Sequence, residues 1–217
     1  MKKVATLLLI ATILECCISL DAMNRPHIFR SKTQSALSST KLTKEQANQE
    51  WTKLLVKLLS NRLSSSVRKE IPHLIAAGAN VNQADPFRGE TMLMKAVVVN
   101  DLETARLLLQ AGADIDKQDH LGITALRLAI GDNKSQMVRL LIDAGADLDK
   151  KDYCNGSGYT ALMRAAEYGH LEIVRLLLDG GADRTLTNQA GETAKDIALK
   201  YHHQEIAKLL TELSKIK

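Results

Sequence analysis

From residue 171 to 179 the chain reads LEIVRLLLD. Leu171, Val174, Leu177 and Leu178 recur at three- and four-residue steps, which lines apolar side chains along one face of an α-helix. Glu172, Arg175 and Asp179 form the polar stripe opposite. The same alternation stands earlier, as SQMVRLLID from 135 and LETARLLLQ from 102. Each run meets a stopping glycine, Gly112, Gly145 or Gly181, because a glycine takes the positive φ that closes a helix without steric cost. Ahead of each run lies a shorter one opened by threonine: GETMLMKAVVVND from Gly89, GITALRLAIGDNK from Gly122, GYTALMRAAEYGH from Gly158 and GETAKDIALKYHH from Gly191. Thr160 is placed to cap a helix from Ala161 to about Tyr168, its hydroxyl accepting from the free N–H groups of the first turn. Gly169 ends that helix, and Asn100 and Asn133 hold its place in the earlier units.

The threonines Thr91, Thr124, Thr160 and Thr193 are spaced by 33, 36 and 33 residues. A fixed period of this length is the signature of a solenoid. One helix pair cannot bury its apolar face alone, so the phrase recurs because each unit must present the same face to the next. The pattern predicts an all-α fold, a repeat solenoid of stacked helix–turn–helix units with degenerate terminal caps.

The G-x-T-x-L-x-x-A opening, the L-x-x-V-R-L-L-L helix and the G-A-D loop together resemble the ankyrin repeat. The resemblance is clear over about 85 to 213 and weaker back to about 47, where RKEIPHLIAAGANVN (68 to 82) is similar to a second helix and loop. Repeats are expected at about 44–83, 85–118, 119–151, 152–187 and 188–217. The first is a degenerate cap whose second helix Pro72 should bend or shorten. The last lacks a G-A-D loop and reads as the C-terminal cap. Two departures stand out. The family's Thr-Pro-Leu-His opening is lost: the His position holds Met94, Arg127, Met163 and Asp196, so the Thr–His hydrogen bond typical of the family is expected to be absent. The 36-residue spacing reflects a three-residue insertion around YCNGSG, 153 to 158.

The first 22 residues follow another logic. Lys2 and Lys3 precede an apolar run of eleven residues, Val4 to Leu14, and small residues follow, the order of a secretory signal peptide. A spanning helix needs about 20 apolar residues, and Glu15 breaks this run early. A signal peptide over 1–22 is therefore preferred to a membrane anchor, and an exported protein (periplasmic or secreted) is expected after cleavage. Anchoring through an uncleaved segment is the alternative. Cleavage would remove Cys16 and Cys17, leaving Cys154 and no internal disulfide. Residues 23–43, rich in Ser, Thr and Lys, read as a flexible linker.

Composition narrows the function. The net charge of +4 is uneven: residues 23–60 carry seven basic and two acidic side chains, and residues 85–217 carry seventeen basic and twenty acidic. A repeat region that is slightly acidic argues against nucleic acid as a partner. No GxxxxGK[ST] phosphate loop and no HExxH metal helix occurs in the sequence. GSGYT at 156 to 160 lacks the lysine of a phosphate loop and is better explained as part of the insertion. His202 and His203 with Glu205 converge poorly, since adjacent helical residues point about 100° apart. Cys154 with His120 and His170 lacks a third group at a recognisable spacing. The recurring Asp114, Asp116, Asp147, Asp149 and Asp183 suit turns closed by their own side chains better than calcium.

The resemblance implies a non-catalytic module that binds a protein partner through its loop tips and the concave face of the array, with no cofactor and no metal, as a monomer. The family's variable surface positions fall here on Phe87, Arg88, Glu90, Val98 and Val99; then on His120, Leu121, Ile123, Gly131 and Asp132; then on Tyr153, Tyr159, Glu167 and Tyr168; and last on Gln189, Glu192, Lys200 and Tyr201. Five of the seven aromatic residues of the chain lie among them, all but Phe29 and Trp51. The rival readings are a scaffold tethered to a membrane by its N-terminal segment and an enzyme using Cys154.

Overall fold

Helix pairs arise wherever the threonine-opened and leucine-rich runs alternate. The computed structural model describes residues 42–57, 65–152 and 156–212. The signal segment, most of the linker, Phe29, Tyr153, Cys154 and the last five residues lie outside the described residues. Ten helices are found among those described: α1 (Lys44–Lys57), α2 (Ser65–Ala76), α3 (Met92–Val98), α4 (Leu102–Gln110), α5 (Ala125–Gly131), α6 (Ser135–Asp143), α7 (Ala161–Tyr168), α8 (Leu171–Asp179), α9 (Ala194–Lys200) and α10 (Gln204–Glu212). They pair as α1–α2, α3–α4, α5–α6, α7–α8 and α9–α10.

The pairs stack in two layers. The first helices α3, α5, α7 and α9 touch in succession, and the second helices α4, α6, α8 and α10 do the same. Between the layers runs one apolar core, continuous from Ala47 and Trp51 in the first unit to Leu210 in the last. In α8 the fully buried side chains are Ile173, Val174 and Leu177, with Leu176 nearly so, while Leu171 and Leu178 are half-buried. The apolar stripe is thus wider than the three-and-four spacing suggests, because α8 is flanked by α6 and α10 as well as covered by α7. Pro72 does not end α2, which runs four residues beyond it to Ala76. The loss falls on one hydrogen bond, because a proline nitrogen has no proton for the preceding turn.

Each first helix begins at its threonine. Thr91, Thr124, Thr160 and Thr193 have extended backbones, and each hydroxyl accepts from the N–H three residues on. No histidine stands at the family's position, and in three units another side chain supplies the return bond. The Met94 and Met163 sulfurs accept from the Thr91 and Thr160 N–H at 3.5 Å. The Asp196 carboxylate accepts from the Thr193 N–H at 2.9 Å and from its hydroxyl at 2.6 Å, which holds that carboxyl below its usual range. Any acceptor long enough to fold back serves a capping box. Arg127, which has none, leaves Thr124 with only the forward bond. Left-handed residues close the first helices: Gly169, as well as Asn100, Asn133 and His202.

The carboxylates and amides of the far loops form a running ladder between units. Asn48 accepts from the Asn80 N–H, Asn82 from Asp114, Asp116 from Asp147, and Asp149 from Asp183. Within each loop Asn80, Asp114, Asp147 and Asp183 accept from the N–H two residues on. The aspartates are turn closers and also stitch each loop to the next. Among the described residues no group of three His, Cys, Asp or Glu side chains is placed to hold a metal ion.

Candidate protein-binding surface

Before each of α3, α5, α7 and α9 the chain makes a short turn. The turns are closed by Asx side chains. The Asp85 carboxylate accepts from the N–H groups of Phe87, Arg88 and Glu90 at 2.8–3.0 Å. Asp119 does the same for Leu121 and Ile123 at 2.8 Å, and Asn188 for Ala190 and Glu192 at 2.9 Å. Neighbouring tips are tied: the His120 N–H donates to the Arg88 carbonyl at 2.9 Å, and the Gln189 N–H to the Ser157 carbonyl at 3.0 Å.

The third turn differs. Asp152 stands eight residues before its capping threonine, against five or six in the other units. A bridge to Tyr159 closes this turn at its base. The Asp152 carboxylate accepts from Arg164 at 2.7 and 3.0 Å and from Arg127 Nε at 2.9 Å. Arg164 also pairs with Glu167 at 2.9 Å. Burial works against the Arg164 charge, and the Asp152 and Glu167 carboxylates more than offset it, so the guanidinium is held above its ordinary range. Arg127 Nη2 donates to the Tyr168 hydroxyl at 2.9 Å, and its guanidinium lies 5.5 Å from the centre of that ring. The crevice between Arg127, Asp152 and Tyr159 has room for about 10 Å³, one water at most.

This network was hidden in the sequence, where Arg127 and Arg164 read as ordinary helix positions. It overturns one expectation. Tyr159 is only 7% exposed, with the Arg164 guanidinium stacked 4.2 Å from its ring centre. Its ring roofs the ion cluster and cannot serve as a wet anchor.

Other expected positions divide by exposure. Phe87, Arg88, His120, Leu121, Gly131, Asp132, Tyr168, Gln189, Lys200 and Tyr201 are exposed. Val98, Val99, Ile123 and Glu192 are half-buried. Glu90 is half-buried and committed to the buried Lys95, Glu167 to Arg164, and Asp132 to Lys134. Lys200 pairs with Glu192 at 2.7 Å, which holds the Glu192 carboxyl low and the Lys200 ammonium high. The negative charge of Glu167, then a hydrogen bond to it, raises the Tyr201 phenol. The exposed large apolar side chains are Phe87, Leu121, Tyr168, Leu199 and Tyr201. All five belong to the turns or to the first-helix row. Among the described residues none lies on the second-helix row. Leu199 was not singled out beforehand, because its place at the helical step of Ile197 and Ala198 makes it look like core.

His203 and His120 each meet a backbone carbonyl of the preceding unit. His203 Nε2 donates to the Glu167 carbonyl at 3.0 Å, and its ring covers Gly169 so closely that a Cβ there would meet it at 2.5 Å. His120 Nδ1 is 3.1 Å from the Phe87 carbonyl. The buried Nε2 of His170 has no partner. Burial first, and the nearby His203 second, lower the His170 pKa below 6.5. A histidine depressed on folding favours the folded state in its neutral form. Its contribution is present above the unfolded pKa and is lost as pH falls through and below that value. The urea midpoint of the native chain should therefore drop more between pH 7 and pH 5 than that of His170→Gln. Parallel profiles for the two proteins would remove His170 from the acid response.

Two layers of helix pairs, joined by short turns and sharing one core, define an α-solenoid whose surface is repeated in register. A family model described as ankyrin repeats (3 copies) matches residues 62–152 and again 149–217. The chain belongs to the ankyrin-repeat family. Its members are generally protein–protein interaction modules and typically not catalytic. No curated protein matches the chain.

Proposed function

We propose that this chain is a non-catalytic binding module that grips a protein partner with its turn tips and the concave side of the first-helix row. The observation that carries the reading is the segregation of exposed apolar side chains. Phe87, Leu121, Tyr168, Leu199 and Tyr201 all stand on one layer, and the second-helix row has none among the described residues. Exposed aromatic and aliphatic groups gathered on a rigid array are what binding hot spots require. Tyr168 is the best-prepared anchor, since Arg127 orients its hydroxyl and covers its ring. Export behind a cleaved signal over residues 1–22 accompanies this reading, with tethering through an uncleaved segment as the alternative. The mass of the mature N-terminus decides between them.

The test uses a partner captured with the full chain. Tyr168→Ala combined with Tyr201→Ala should weaken binding by roughly thirtyfold or more, with helix content unchanged. Glu172→Ala with Arg175→Ala, on the exposed stripe of α8, should leave affinity as it was. The reverse result would put the partner on the second-helix side. An enzyme using Cys154 is the remaining rival, and loss of a measured turnover in Cys154→Ala would establish it.

A further inference from the structure

The turn between α5 and α6 reads Asp132-Asn133-Lys134-Ser135. Asparagine, then any residue but proline, then serine or threonine is the acceptor sequence for N-linked sugar in an exported chain. The corresponding turns of the other clear units, Asn100-Asp101-Leu102, Gly169-His170-Leu171 and His202-His203-Gln204, lack the hydroxyl. Asn133 has a structural reason to stand where it does, since the turn holds it in the left-handed region at φ +53°. Ser135 has no such reason. Leu102 and Leu171 hold its place in the flanking units, and both pack against the core. Ser135 gives up that packing and offers no cap in return, because the start of α6 has no side-chain cap hydrogen bond. Its hydroxyl donates only to Glu172, at 3.0 Å.

The Asn133 carboxamide is open to a substituent. Asn80, Asn82 and Asn188 spend their side chains on backbone N–H groups. The exposed side chain of Asn133 makes no hydrogen bond among the described residues. Beside it opens a groove of about 360 Å³ lined by polar side chains, Asn100, Gln136 and Glu172 among them. A first sugar residue attached at Asn133 would find room and hydrogen-bonding groups at its point of attachment.

Resting on the export reading above, we propose that Asn133 is a site of N-linked glycosylation. The donor class is an oligosaccharide carried on a lipid diphosphate. Asn133 Nδ2 forms a bond to the anomeric carbon of the first sugar. The bond from that carbon to the diphosphate oxygen breaks, the diphosphate leaves with the electron pair, and Nδ2 gives up one proton. A bulky, solubilising group then covers the turn.

The experiment is expression of the full chain in cultured eukaryotic cells. Protein from medium and membranes is mapped by peptide before and after digestion with a peptide N-glycosidase, and the N-terminus is determined on the same sample. Mapping by peptide is needed because Asn155-Gly156-Ser157 is a second acceptor sequence, whose asparagine lies outside the described residues. The peptide bearing Asn133 should carry sugar, and enzymatic release should convert that asparagine to aspartate. Asn133→Gln and Ser135→Ala should each abolish the modification, and Ser135→Thr should retain it. Ser135→Ala leaves the turn asparagine in place, so loss of sugar there is separate from any loss of fold. An exported, N-terminally processed chain with Asn133 bare would overturn the site and leave the export reading standing. Sugar that survives Ser135→Ala would overturn it as well. A chain kept in the cytosol with Met1 intact and no sugar would overturn both.

Discussion

Replacing Asp152 by asparagine is expected to lower the unfolding free energy by about 3–5 kcal/mol, the cost of breaking a buried ion pair by removing one partner. Asp152 is 4% exposed and Arg164 5%. One carboxylate there holds two guanidinium groups through contacts of 2.7–3.0 Å. Asparagine keeps the shape but removes the charge, and its amide N–H groups would face cations. Arg164 would lose the carboxylate that takes two of its hydrogen bonds. The other tips supply an internal contrast. Where the side chain only closes a turn, the last unit already uses Asn188 with the same bonding pattern. Asp119→Asn should therefore cost under about 1 kcal/mol, as one neutral hydrogen bond for another does. Urea unfolding followed by helix signal measures both. Equal small losses would mean that water screens the Asp152 cluster after all.

Leu177→Ala should cost about 2–5 kcal/mol, the range for emptying a large side chain from a packed core. Leu177 is fully buried in α8, and α8 touches α6, α7 and α10. A cavity there weakens the interfaces to the units before and after it as well as the fourth unit itself. In a linear stack, where each repeat leans only on its neighbours, such a change uncouples both flanks, and the unfolding transition should broaden as well as shift. Glu172→Ala on the exposed stripe should stay within about 0.5 kcal/mol, losing only a hydrogen bond from the Ser135 hydroxyl at 3.0 Å. Matching losses at the two positions would mean that α8 turns a different face to the core.

These two predictions draw on different kinds of information. Leu177 is a core residue by its spacing alone. Asp152 looks no different in the sequence from Asp85 or Asp119.

Local rules settle everything that repeats. Thr91, Thr124, Thr160 and Thr193 start helices because a hydroxyl can reach the N–H three residues on, a contact within one turn. Asn100, Asn133 and Gly169 end them because of backbone sterics at a single residue. α7 and α8 fall at the bounds that the apolar spacing predicts, 161 to about 168 and about 171 to 179. The family follows from the same periodic signals, since each motif is short and its meaning does not depend on distant residues.

What does not repeat was decided by contacts between units. Tyr159 was grouped with the surface aromatics by its position in the repeat, yet Arg164 and Asp152 draw it inward. In the loop with three extra residues the Asp152 carboxylate gathers Arg127, from the preceding unit, with Arg164. No periodicity encodes that choice, because it pairs residues 25 positions apart through side chains of different lengths. The pairing of the Phe87 and Leu121 tips through His120 likewise spans 33 positions. The sequence by itself determined the helices, their caps and their stacking, which are properties of one turn or one period. The tertiary structure alone decided which polar groups are spent on one another and which remain to meet a partner, because burial and charge pairing depend on what the neighbouring unit brings within reach.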